Sequence, residues 1–171
     1  LLTQRPDGQL SEARNRLLFA AAAQAKGGAW RDSASAQIRA AFELFRISYV
    51  APPFLWYLGR ALARDGQLAR AQEVLDTLAR RARPENPTDR MTLLALPGEV
   101  ALARQLPDSA ARSFQLAMAI DSGALVIEAV ARALAQTGDL GSAIRLYESI
   151  AGKPARWYGW EAQPGGLLAF L

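Results

Sequence analysis

The chain has 171 residues, 51% of them hydrophobic and 21% charged, with a formal net charge of +4; a chain of this size buries roughly 70% of its extended surface in a folded unit. It holds no cysteine and no histidine, which removes disulfides, the cysteine nucleophile, the serine-histidine triad and the usual zinc ligand sets, and leaves only carboxylate, lysine or tyrosine chemistry. Ala and Leu dominate the aliphatic residues while Val, Ile and Thr are sparse, so the expected fold class is all-α.

In chain order, residues 1–52 read as a degenerate helical hairpin. The chain begins Leu1-Leu2-Thr3 without an initiator methionine, and Asp7 to Ala13 repeats the turn pattern of Asp65 to Ala71, so a preceding repeat and any targeting segment are expected to lie outside it. Leu10 to Lys26 predicts a long helix stopped by Gly27-Gly28, and Ser33 to Phe45 predicts its partner, with Ser33 as N-cap. The longest uncharged run, Ile47 to Gly59, contains Pro52 and Pro53 and falls short of the ~20 apolar residues of a membrane span.

Three hairpins follow, over residues 53–87, 88–122 and 123–154. Leu68, Ala71, Val74, Leu75 and Leu78 recur on one helical face, as do Leu140, Ala143, Ile144, Tyr147 and Ile150. In the middle unit Pro97 lies inside the first helix, where it forfeits a hydrogen bond at about 3 kcal/mol, and a kink or restart is expected near Gly98. Residues 155–171 read as a loop and the start of a further helix, Leu167 to Leu171. Within that loop Trp157 to Gln163 is the densest aromatic stretch; it is read either as a partner-contacting loop or as rings burying the edge of the last repeat.

Internal repetition organises these elements. Gly59 to Ala71, Gly98 to Ala110 and Ala131 to Ala143 share one frame: a small residue, an apolar run, turn residues and an alanine. In the middle copy Pro107 and Asp108 stand as helix punctuation in place of the glycine. The copies are offset by 39 and 33 residues, close to the ~34 of a helix-turn-helix repeat.

The segment from Pro53 to Pro154 resembles the tetratricopeptide repeat family. Its small-residue, alanine and large-apolar positions are matched by Gly59, Ala71 and Leu75, by Gly98, Ala110 and Phe114, and by Ala131, Ala143 and Tyr147. The resemblance implies a right-handed α-solenoid of antiparallel helical hairpins. Its first helices would line a concave groove that binds a peptide or partner protein, without cofactor and without catalysis.

Carried over position by position, that groove contains Trp56, Arg60 and Arg64, then Ala95, Glu99 and Leu102, then Glu128, Arg132 and Gln136. Trp56, Arg60 and Arg64 are spaced by four, away from the Leu58 and Leu62 face, which leaves the two arginines as exposed charges able to clamp a carboxylate beside an apolar group. Trp56 packed between repeats is the other reading of that position. The asparagines and lysines of the family's clamp for chaperone C-termini are not at these positions, which speaks against that partner. No phosphate loop, dinucleotide fingerprint or paired metal motif is present, so no enzyme is expected.

The positive charge is nearly all arginine, Lys26 and Lys153 being the only lysines, and the alternative function is an RNA-binding helical repeat module. Against it, the densest basic run, Arg80, Arg81 and Arg83, sits at a helix end where cations complement the dipole. The expected setting is the cytoplasm, with the periplasm as the other option, inside a larger bacterial signalling or assembly protein. Self-association is expected through the edge formed by Leu167 to Leu171.

Overall fold

The computed structural model describes residues 12–13, 15–17, 19–20, 28–47 and 50–151. Those described before residue 28 are helical, and seven bounded helices follow: α1 (Trp30–Ile47), α2 (Pro52–Arg64), α3 (Leu68–Arg81), α4 (Pro87–Ala103), α5 (Pro107–Met118), α6 (Ala124–Thr137) and α7 (Leu140–Ile150). No strand occurs among the described residues, and no helix among them is long and apolar enough to cross a membrane.

Each helix starts and stops for a local reason. Pro52, Pro87 and Pro107 occupy the first turns of α2, α4 and α5, where a missing N–H costs nothing. Asn86 caps α4 by accepting from the backbone N–H groups of Thr88 and Asp89, and Asp139 caps α7 by accepting from Ser142 N–H. Helix α1 begins three residues before the cap expected at Ser33, which is interior and exposed; Asp32 in its first turn complements the dipole instead.

The turn inside each hairpin is the same structure three times over. The N–H groups of Gln67, Leu106 and Asp139 donate to the carbonyls of Leu62, Ala101 and Leu134, and those of Gly66, Gln105 and Gly138 donate to Ala63, Leu102 and Ala135. This is the Schellman pair, and it requires a left-handed residue just past the helix. Gly66 and Gly138 supply it at φ 77° and 90°. In the middle hairpin Gln105 does so at φ 60°, the one non-glycine with positive φ among the described residues. The sequence reading, which gave the middle turn to Pro107 and Asp108, missed this because glutamine carries no turn signal.

Each helix packs against the next, and in addition α2 lies against α4 and α4 against α6. Close approach depends on small residues. A Cβ on Gly59 would meet the end of the Leu96 side chain, 2.9 Å from Cδ2, and one on Gly98 would come within 2.6 Å of Phe114 Cε1. Gly59 therefore admits the first helix of the following hairpin, while Gly98 admits the second helix of its own. Ala71, Ala110 and Ala143 are buried at the crossings, and Leu55, Leu58, Leu62, Leu78, Leu96 and Phe114 fill the interior between them.

Of the kink or restart expected near Gly98, the restart does not occur: α4 is one helix from Pro87 to Ala103. The proline removes a single bond, the one to the Leu93 carbonyl, while Leu96, Gly98, Glu99 and Val100 on either side of it are held in the interior. Tertiary burial outweighs the local penalty.

Two substitutions test this account by urea denaturation. Gln105→Gly should stabilise the chain by about 1 kcal/mol, since a non-glycine residue in the left-handed region costs ~1–2 kcal/mol and glycine returns part of that as unfolded-state entropy. Gly98→Ala should destabilise it by ~1–3 kcal/mol through overpacking on Phe114, despite the better helix propensity of alanine. Opposite signs would mean that the turn and the crossing are not the constraints described.

Candidate functional site

Helices α2, α4 and α6 are the first helices of successive hairpins, so residues at one register position of each come side by side. Five of the seven predicted site residues meet there. Arg60 Nη2 donates to Glu128 Oε2 at 2.6 Å, and Arg64 Nη2 donates to both Glu128 oxygens at 2.9 and 3.0 Å. Arg132 Nη2 donates to both Glu99 oxygens at 2.8 and 2.9 Å, and its Nε reaches Glu128 Oε1 at 3.3 Å. Arg60 Nε lies 3.5 Å from Glu99, and Arg64 Nε lies 4.0 Å from it.

The expectation of two exposed, free arginines on α2 is therefore corrected. The Arg60 side chain is 11% exposed, that of Arg64 is 32% exposed, and both are ion-paired. Glu99 is wholly buried beneath them. The pairing spans hairpins: Arg60 and Arg64 on α2 bind Glu128 on α6, beyond the intervening α4. A sequence-local helical wheel cannot show such partners. A signal was nonetheless present, because the register position of Arg60 is occupied by Glu99 and then by Arg132, alternating in sign.

The remaining predicted positions divide. Gln136 is exposed, one turn beyond Arg132. Ala95 and Leu102, expected in the groove, belong to the interior, because α4 is packed by α2, α3, α5 and α6. Trp56 is buried one turn before Arg60, its ring 5.3 Å from that of Tyr57, and its indole N–H has no hydrogen-bond partner among the described residues. An unsatisfied buried donor of this kind costs ~1–3 kcal/mol. The reading of Trp56 as packed between repeats describes its burial.

Three guanidiniums against two carboxylates leave one positive charge in excess. Burial alone would raise the Glu128 carboxyl, but the charges of Arg60, Arg64 and Arg132 outweigh it and hold the group down at about 2. For Arg132 burial is outweighed by Glu99 and Glu128, and its pKa rises. Arg64 moves the other way: burial and the neighbouring Arg60 charge lower it more than the two glutamates raise it. Tyr147 on α7, read from sequence only as a core residue, has its hydroxyl pKa raised by partial burial and by the Glu128 charge, which sets it beside this cluster.

Chemically the cluster is a set of fixed charges. At neutral pH its glutamate near pKa 2 is ionised and its arginines are protonated, so it offers hydrogen-bond donors and positive potential in place of a group poised to exchange protons. Among the described residues no group of three or more acidic side chains is placed to hold a metal ion. The aromatic stretch Trp157 to Gln163 and the edge at Leu167 to Leu171 lie outside the described residues. Comparison of the chain with protein-family models, with curated proteins and with solved structures finds no match.

Acid titration tests the pairing. A carboxyl depressed from 4.5 to about 2 contributes stability that is complete above its unfolded pKa and is lost as pH falls toward the folded value. The stability difference between the wild-type chain and Glu128→Gln, followed by urea denaturation, should be constant near neutrality and shrink toward zero as pH drops from about 5 to 2. A difference unchanged across that window would remove the ion pair as its cause. Glu99→Ala, which empties a buried site and leaves Arg60, Arg64 and Arg132 to share Glu128 alone, should cost ~3–5 kcal/mol at neutral pH.

Proposed function

We propose that the chain is part of a right-handed α-solenoid of antiparallel helical hairpins, tetratricopeptide-like, with units at residues 53–87, 88–122 and 123–154. In this reading it is a protein-interaction scaffold that holds a peptide or a segment of a partner protein in the groove along α2, α4 and α6. It works without cofactor and without catalysis, in the cytoplasm, as one region of a larger bacterial signalling or assembly protein.

The observation that carries the reading is the charge cluster on the first helices. It is pre-arranged, it holds one positive charge in excess, and its most exposed arginine is Arg64. A ligand that suits Arg64 is an acidic side chain or terminal carboxylate. The arginine excess that pointed to RNA is partly consumed internally, since Arg16, Arg46, Arg60, Arg64, Arg83 and Arg132 all face carboxylates.

Arg64→Gln leaves two arginines against two glutamates, a balanced cluster, and so separates binding from folding. Peptides selected from a displayed random library should be enriched in acidic residues and lose about 10- to 100-fold in affinity for this variant, the loss of one charged hydrogen-bonding partner, with helicity unchanged. Selected peptides without acidic enrichment, bound equally by both proteins, would refute the groove. Tight binding of a short RNA that weakens steeply with added salt would favour the RNA-binding alternative.

A further inference from the structure

The last described helix presents an apolar face that its counterparts do not. Leu140, Ile144 and Tyr147 on α7 are 60%, 55% and 39% exposed. Counted from the crossing alanines Ala71, Ala110 and Ala143, the positions of Ile144 and Tyr147 in the preceding hairpin are Ala111 and Phe114, 7% and 0% exposed. In the hairpin before that, the counterpart of Tyr147 is Leu75, packed against the core. In both earlier hairpins the second helix is covered by the first helix of the hairpin that follows: α4 lies against α3, and α6 against α5. The fold itself thus specifies what belongs on α7: a helix of the same kind.

The sequence supplies one. Gly166-Leu167-Leu168-Ala169-Phe170-Leu171 carries apolar residues at i, i+1, i+3 and i+4 behind a glycine. It matches Gly123-Ala124-Leu125-Val126-Ile127, where Gly123 is the N-cap of α6 and the four that follow are buried. The aromatic stretch before it, Trp157-Tyr158-Gly159-Trp160-Glu161, has apolar residues at i, i+1 and i+3 but a charge, Glu161, at i+4, where Leu171 completes the face of the later segment. Residues 151–166 connect α7 to this segment, and a tether of that length extends to roughly 50 Å, ample for return to α7. Such a tether holds the segment at an effective concentration in the millimolar range, which favours it over a second copy of the chain at micromolar concentration.

We infer that the outer face of α7 is a docking seat and that its occupant is the chain's own segment Leu167–Leu171, placed as α4 is on α3 and α6 is on α5. This stands independently of the groove and of what the groove binds.

Because the chain has no cysteine of its own, paired cysteines test the seat directly. Ile144→Cys, at a position too exposed to threaten folding, is combined in turn with Leu167→Cys, Leu168→Cys, Phe170→Cys or Leu171→Cys, and each chain is treated with a short bismaleimide. The expected result is an intramolecular product at one or two of the four positions, formed on the order of tenfold faster than with Asp76→Cys, an exposed site two hairpins away that shares the same tether. Intermolecular product at Ile144→Cys would overturn the inference in favour of a second copy. Rates equal to the Asp76→Cys control would overturn it in favour of an open face.

Discussion

Glu99 and Glu128 are the two carboxylates around which three helices are arranged. A glutamate buried as completely as Glu99 would exact a penalty of several kcal/mol if left alone, and its partners are arginines from α2 and α6, both outside its own helix. Arg60 and Arg64 in turn reach past α4 to Glu128. The ordinary stacked hairpin array is held by contacts between neighbours alone, so that its stability is a sum over adjacent units. Here the first and third of three consecutive hairpins are also joined directly, through long side chains. Their relative placement is consequently constrained from two sides: by packing on α4, and by the geometry of guanidinium-carboxylate pairs.

That constraint needs helices brought very close, which the small residues allow. Gly59 lets Leu96 enter, and Gly98 lets the Phe114 ring enter. Both glycines lie immediately beside members of the cluster, Arg60 and Glu99. A side chain at either position would widen the helix spacing at the very level where ion pairs of 2.6 to 3.5 Å must close. Apolar packing and charge pairing are thus one design: the first sets the separation at which the second becomes favourable.

Much of this was legible in the sequence, and the exceptions have physical causes. The all-helical fold, the buried alanines at the crossings and the first-helix stripe follow from local periodicity, and local periodicity is what a single sequence displays. Gln105 was not legible, because its left-handed conformation is imposed by the two helices it joins and glutamine has no preference for it. The continuity of α4 through Pro97 was not legible either, since it depends on burial against other helices. The cluster lay between these cases. Its members were named from register, but as free charges, because the pairing of Arg60 with Glu128 depends on how closely α2 and α6 approach across α4. Local periodicity carries no information on that approach.

The same pairing bears on what kind of binding surface this can be. Long arginine side chains free in solvent lose rotamer entropy of up to ~2 kcal/mol each when a ligand fixes them. In this chain Arg60 and Arg132 are already fixed by Glu128 and Glu99, so that cost falls in folding and not in binding. What the pairing leaves is a rigid array of donors with a charge imbalance of one. A pre-arranged surface of this kind gains specificity from geometry more than from flexibility.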